Sequence, residues 1–337
     1  MLKSIKSISK LIPKSKYDVI TLGSSTIDVF LKTDSDDVKV LREKGAQFLS
    51  YPLGSKILID KLNTFTGGGG TNTAVSFSRL GLRTAYFGRI GNDDHGLIVL
   101  KELKKEKVDF LGKLEGDTAY SVILDSKADD RTALTYKGKG GVLGSCSEKK
   151  LEPCNLLYIS SVTKSCYKSA ENIAEYMKKK GSKIAFNPST YLASMGFKFL
   201  SKMIRIADIL ILNKQEADLI TSHNDIDYSL KKLHSLNQGI VAITDGKYGV
   251  YIYDGNFKYS AVPRSVKVVE TTGAGDAFAS GFTAGIIKGK SIEYSITAGI
   301  TNAESVISHL GAKNKLLTLK EAEKMMKKDL NISKTKI

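Results

Sequence analysis

From Leu156 onward the chain alternates between two kinds of apolar run. The stretches 156–160, 183–187, 207–212 and 239–244 read as strands, and 249–253 reads as one more. Between them 167–180, 197–206, 214–221 and 226–236 carry the wider spacing of helices. Strands that alternate with helices pair in parallel, because each crossover must return the chain to the same end of the sheet. The expected fold class is therefore α/β: a doubly wound, mostly parallel sheet flanked by helices. Ligands of such sheets collect beyond the carboxyl ends of the strands. Asp28, Asn213 and Asp276 are expected at such ends.

A glycine-rich turn gives this frame a candidate chemistry. Ser265–Val269 reads as a strand and Ala277–Ile287 as a buried helix, with Thr271-Thr272-Gly273-Ala274-Gly275-Asp276 between them. Strand, glycine turn and helix aim free N–H groups and a positive helix end at an anion. Asp276 falls in the first turn, where a carboxylate can cap the helix or serve as a general base. These residues alone leave the two readings even. A Rossmann loop would need glycine at Phe278, and Gly289-Lys290-Ser291 follows a helix rather than a strand, so neither that loop nor a Walker A loop is present. A second glycine run, Gly67-Gly68-Gly69-Gly70, leads into a helix over 74–81, and Asn72 there offers both a donor and an acceptor to sugar-like hydroxyls.

The net charge of +16 raises the question of nucleic acid, but the lysines are scattered among glutamates and no recognition motif accompanies them. No nucleic-acid partner is expected. No apolar run is long enough to span a bilayer, so no membrane partner is expected either. Three cysteines, Cys146, Cys154 and Cys166, form neither a disulfide framework nor a zinc pattern, which fits the cytoplasm. The four histidines lack metal-ligand spacing.

Residues 1–16 form a basic N-terminal extension with apolar residues at helical spacing. Residues 17–23 read as the first strand and 24–31 as a second extended run. The charged segment 34–50 is expected as a loop or short helix, 56–62 as an edge strand, and 119–125 with 131–136 as a hairpin around 126–130. Three helical stretches are expected over 291–328 and a tail over 329–337.

Two segments then carry a resemblance. Gly67–Ala74 through Arg79-Leu80-Gly81, with Gly88–Gly96, resembles the first signature of the ribokinase-like (PfkB) carbohydrate kinases. Thr271–Phe278 resembles the second, about two hundred residues later and in the right order. The resemblance covers roughly residues 17–328 as one domain and implies a small β-sheet lid from the strands near 24–31, 56–62 and 119–136. It implies transfer of the γ-phosphate of ATP to a hydroxyl of a sugar or nucleoside, with Mg²⁺ as cofactor. Asp276 then resembles the catalytic base, and the N–H groups of Gly273, Ala274 and Gly275 the anion hole. Asp28, Gly68, Gly69 and Asn72 match sugar-holding positions. Asn213 and Glu216 match an N-x-x-E element linked to phosphate and to Mg²⁺ through water. Thr244, Gly246 and Gly249 resemble the nucleotide-side turn, and Asn302 with Gly311-Ala312 the edge of the adenine pocket. Lid strands often pair between subunits in this family, which implies a homodimer.

Some positions depart from the pattern. Glu270 stands where ribokinases commonly have aspartate beside a potassium site, so the resemblance does not carry monovalent-cation activation with it. Gly-Gly-Gly-Gly-Thr-Asn replaces Gly-Gly-Lys-Gly-Ala-Asn, and Thr26 stands where ribokinases often have asparagine; both changes lie in the sugar site, so the resemblance does not assure ribose itself as the acceptor. A sugar kinase, a nucleoside kinase of the same fold and a non-catalytic sugar sensor compete. The intact set Gly273, Gly275, Asp276, Asn213 and Glu216 argues against the sensor. Arg89, Arg131, Lys137 and Lys139 are read either as contacts for an acidic acceptor or as a solvated lid surface.

Overall fold

A computed structural model describes residues 15–43, 46–125, 131–138, 142–143 and 151–336. Residues 1–14 of the basic extension, the expected turn at 126–130, Lys139 and Cys146 lie outside the described residues.

The chain opens with β1 (Val19–Leu22), β2 (Thr26–Lys32), β3 (Lys39–Glu43), β4 (Ala46–Ser50) and β5 (Lys61–Gly67). Helix α1 (Gly69–Arg79) leads to β6 (Thr84–Phe87) and β7 (Arg89–Ile90). Helix α2 (Asp94–Lys105) leads to β8 (Val108–Phe110), β9 (Lys113–Leu114), β10 (Ala119–Asp125) and β11 (Arg131–Tyr136). The alternating half follows: β12 (Leu156–Ile159), α3 (Lys164–Lys179), β13 (Lys183–Phe186), α4 (Thr190–Ala193) and α5 (Gly196–Ile206). It continues through β14 (Ile209–Asn213), α6 (Lys214–Thr221), α7 (Ile226–Asn237) and β15 (Ile240–Thr244). Then come β16 (Val250–Tyr253), β17 (Lys258–Ala261), α8 (Ala274–Ile287), α9 (Ile292–Ile307), α10 (Leu319–Met325) and β18 (Ile332–Thr335).

The main sheet runs β18-β17-β16-β15-β14-β13-β12-β1-β6-β8. Every pair from β15 to β8 is parallel, and β16, β17 and β18 extend it antiparallel. From β1 the chain winds outward to β6 and β8, then returns to β12 and winds the other way. The order thus reverses between β1 and β12, and a crevice opens there above the strand ends.

Both faces of the central strands are buried, as parallel strands require. In β12, Leu157 and Ile159 pack with α3, α5 and α7 on one face, while Leu156 and Tyr158 pack with α8 and α9 on the other. A second sheet, β11-β10-β2-β5, pairs β2 with β10 in parallel and with β5 antiparallel. It stands as the expected lid. Among the described residues no helix is long and apolar enough to cross a membrane.

Several expected elements fall elsewhere. The edge strand placed at 56–62 begins only at Lys61, and residues 34–50 hold the hairpin β3–β4 instead of a loop or helix. Ser265–Val269 is not a strand. Its strand-like composition finds no open edge, because the chain's last residues occupy β17: β18 pairs there from Ile332 to Thr335. Val268 is left 56% exposed, and the Val269 and Glu270 N–H groups donate to Ile307 O at 2.7 and 3.1 Å. Within the expected tail, Ile332–Thr335 is consequently part of the main sheet. Over 291–328 there are two helices, α9 and α10, instead of the three expected helical stretches, with a loop over 308–318 between them.

Candidate active site

The crevice at the reversal of strand order is a cavity of about 280 Å³. The ends of three strands supply Ser160, Asn213 and Thr244, and two glycine-led helices supply Gly69, Gly275 and Asp276. Asp276 is the third residue of α8, whose N-cap is Gly273 at φ 85°. A Cβ on Gly273 would stand 2.5 Å from the Cβ of Ala312, so the turn needs glycine both for its handedness and for its room. Nothing lies within 4 Å of a Cβ built on Gly275, which faces the open cleft. The Ala274 N–H already donates to Thr271 O at 3.1 Å, whereas those of Gly273 and Gly275 have no backbone acceptor among the described residues. The expected triple of anion-hole donors is thus two open groups and one engaged.

Helix α1 reaches the same point from the lid side. Asn72 Nδ2 donates to Asp276 Oδ2 at 2.8 Å, which fixes the carboxylate from the second motif against the first. Gly68 caps α1 at φ 93° without lining the cleft. Gly69 does line it: a Cβ there would stand 2.1 Å from Ser160 Oγ and 3.3 Å from Asp276 Oδ1. Burial raises the Asp276 carboxyl above its ordinary pKa; the Asn72 bond and the charge of Lys313 pull it down, and Asp28 adds to the rise.

Asp28 does not lie beyond a main-sheet strand as the sequence reading had it. It sits inside lid strand β2, between Phe65 on β5 and Ser121 on β10. Thr26 Oγ1 donates to it at 3.0 Å. Burial raises this carboxyl too, against the pull of Thr26, Ser121, Lys313 and Lys137. Asp276 likewise does not follow a strand end directly, since β17, the strand before α8, ends at Ala261.

Asn213 ends β14 and caps α6. Its Oδ1 accepts the Glu216 N–H at 2.8 Å, and Glu216 Oε2 accepts the Asn213 N–H at 3.0 Å. This capping box drags a carboxylate into the cavity wall at 5% exposure. Burial raises Glu216 to about pH 7; bonds from Asn213 and Thr190 oppose the rise, and the charge of Asp276 adds to it.

The nucleotide-side residues divide. Thr244 lines the cleft, but Gly246 and Gly249 belong to the turn between β15 and β16 outside it. Asn302, expected at the edge of the adenine pocket, has no exposed surface: its amide donates to Ser76 Oγ and Ala277 O and accepts the Leu317 N–H. It ties α1, α8 and α9 together and leaves no atom for a ligand. Arg89 is neither a lid-surface cation nor open to an acceptor. It is 4% exposed, with Nη1 on Glu115 O at 2.7 Å and Asp117 O at 2.6 Å. Glu270 Oε1 orders its own turn through the Thr272 N–H and hydroxyl.

Two contributors escaped the sequence reading. Ser160 closes the cleft against Gly69, and a lone serine after a strand carries no signal. Lys313 is 4% exposed in a chain whose lysines otherwise read as surface charge. Only its position after Gly311-Ala312 marks it. Among the described residues no three His, Cys, Asp or Glu side chains gather as a metal cage.

Residues 18–319 match the pfkB family carbohydrate kinase profile. An uncharacterized sugar kinase of Archaeoglobus fulgidus is 29% identical over 248 residues, which is 72% of this chain and 98% of that one. The adenosine kinase of Sinorhizobium meliloti superposes with a TM-score of 0.75 at 24% identity, over 92% of this chain and 99% of the other. A ribokinase II of Escherichia coli, solved with ATP and Mg²⁺, superposes with a TM-score of 0.76 at 16% identity, over 93% and 99%. At these identities the two structures establish the fold.

Proposed function

This chain belongs to the pfkB family of carbohydrate kinases, phosphotransferases that act on a hydroxyl, and from that premise we propose that it transfers the γ-phosphate of ATP to a hydroxyl of a free sugar or related polyol. The bond from Asn72 to Asp276 carries this reading, because it joins the acceptor side to the anion turn at one point. An acceptor hydroxyl there gives its proton to Asp276 as its oxygen attacks the γ-phosphorus, whose bond to the bridging oxygen breaks and leaves that electron pair on ADP. The Asn72 bond orients the carboxylate for that step. The Gly273 and Gly275 N–H groups, at the positive end of α8, hold the charge that gathers on the phosphoryl oxygens. Asp28 and Asn72 accept or donate to the acceptor's other hydroxyls. The lid sheet covers them and keeps water from competing for the phosphoryl group.

Glu216 fits a divalent cation. It is a buried carboxylate whose ionisation is opposed by burial and by Asp276, and a cation beside it would relieve both. Mg²⁺ typically keeps several waters and takes one or two carboxylates, so Glu216 and Asn213 would hold it through water. When bound, Mg²⁺ neutralises phosphate charge.

A nucleoside acceptor is the second reading, favoured by one observation. Phe65 lies opposite Asp28 and packs edge-on against Phe30 at 5.7 Å between ring centres, an aromatic wall suited to a base. The lid's outer strands expose Leu62 (61%) and Leu134 (58%), which supports pairing of two lids in a homodimer.

An ATP-consumption assay over free sugars, polyols, sugar acids, sugar phosphates and nucleosides, run beside Asp276→Asn, tests all of this. Turnover with a sugar that disappears in the variant is expected. Turnover with nucleosides alone promotes the second reading, and turnover that survives the substitution refutes the role given to Asp276.

A further inference from the structure

The loop between α9 and α10 holds three consecutive residues that touch three different parts of the site. A Cβ on Gly311 would lie 3.0 Å from the ring of Phe65 on lid strand β5. Ala312 packs under Gly273, the N-cap of α8. Lys313 sends its ammonium to Glu102 Oε2 on α2 at 2.8 Å and to Thr66 Oγ1 on β5 at 3.0 Å. Thr66 itself donates to Glu102. The loop's carbonyls are fixed from the other side, Lys313 O and Leu316 O accepting Arg79 Nη1 at 3.0 and 2.9 Å. A buried cation with this many anchors has one place to be.

An ammonium carries three N–H donors, and Glu102 and Thr66 use two of them. Thr66, which the ammonium holds, follows Phe65, the residue paired with Asp28, and Ala312, next to Lys313, packs under Gly273 three residues before Asp276, so the charge acts on both site carboxylates. Two carboxylates in one partly enclosed site oppose each other's ionisation, and Asp276 serves as a base only when ionised. A buried lysine is costly to hold, and its ion pair with the partly exposed Glu102 offsets only part of that cost.

We propose that Lys313 is a positioning residue for the transfer: it fixes a positive charge behind Asp28 and Asp276 and seats Ala312 under the anion turn. The proposal rests on the kinase reading above. The groups facing Asp276 are Asn72 from α1, Asp28 from β2, Lys313 from the loop, Glu216 from α6 and Tyr158 from β12. Those facing Asp28 are Thr26, Ser121, Lys137 and Lys313. Lys313 is the one buried cation in both sets.

The test compares Lys313→Met, Lys313→Arg and the double variant Lys313→Met with Glu102→Gln, using whichever acceptor the wild-type protein turns over. The single Met variant strands Glu102 and loses stability for that reason alone. The double variant removes both charges and recovers thermal stability. If Lys313 acts on the site, activity stays down while stability returns: acceptor kcat/KM remains about ten-fold or more below wild type. The acid limb of its pH profile moves up by about half a unit or more, because the carboxylates lose a cation that favours their ionised form. Lys313→Arg, which keeps the charge, restores the limb. A double variant that regains wild-type kcat/KM and an unmoved acid limb overturns the proposal while leaving the kinase reading intact. A wild-type protein with no turnover on any acceptor of the panel overturns the reading, and the proposal with it.

Discussion

Substituting Glu216 by Gln should change how the protein's stability responds to pH. The carboxyl is raised from 4.5 to about 7 in the fold, first by burial and then by the neighbouring charge of Asp276. At about 1.4 kcal/mol per unit, this rise is on the order of 3 kcal/mol. Because the folded value lies above the unfolded one, this stabilisation is fully present below pH 4.5 and is lost as pH rises through 7. Gln keeps the side-chain oxygen that accepts the Asn213 N–H, so the capping box survives the change. It does not titrate. Wild type and Glu216→Gln should therefore run close together at pH 5 and diverge toward pH 8, where the variant melts higher by roughly 5 °C. The assay is thermal or urea unfolding at half-unit steps from pH 5 to 8, with and without Mg²⁺. Added Mg²⁺ should narrow the gap at pH 8 by stabilising the wild type alone. Curves that stay parallel across the whole range would show that burial does not oppose ionisation here, and would remove the physical basis for a cation at Glu216.

Three further outcomes are expected. Asp276→Asn should keep the fold and the Asn72 contact but lower kcat by about 10²–10⁴-fold, measured by ATP consumption with a competent acceptor; a loss seen only in acceptor KM would speak against a base. Gly69→Ala should destabilise by about 1–3 kcal/mol, since its methyl would stand 2.1 Å from Ser160 Oγ, and Ser160→Ala in the same chain should return most of that in urea titrations. Leu134→Lys should convert a lid-paired dimer to a monomer in light scattering, and an unchanged mass would place the interface elsewhere or nowhere on the lid.

Much of the main sheet was legible because its strands are buried on both faces and announce themselves as short apolar runs between helices. The two glycine motifs were legible for a related reason: they mark places where backbone must come within contact of something else, as Gly69 does with Ser160. What failed was pairing. Ser265–Val269 has the composition of a strand, yet composition does not choose a partner, and the edge of β17 is taken by a run of only four residues much later in the chain. Asn302 failed through burial, since an asparagine that spans three helices and one that meets a ligand look alike in sequence. Lys313 was hidden among 51 basic residues, because burial of a charge depends on Glu102 and Thr66, which lie more than two hundred residues earlier.

The last strand also sets an order of events in the making of the protein. At a synthesis rate of about 5–20 residues per second, the stretch between Ala261 and Ile332 puts roughly 4–14 s between the completion of β17 and the appearance of β18. Throughout that interval β17 is an open edge, with unpaired N–H and C=O groups that could recruit another nascent chain. The register of the final pairing puts Lys258 opposite Thr335 and Lys334 opposite Tyr259. Lys258 is made early and already stands on the waiting edge, a charge of the kind that discourages a stranger's strand. The main sheet is therefore complete only once Ile332–Thr335 has left the ribosome, and until then its edge depends on charge rather than on pairing to stay single.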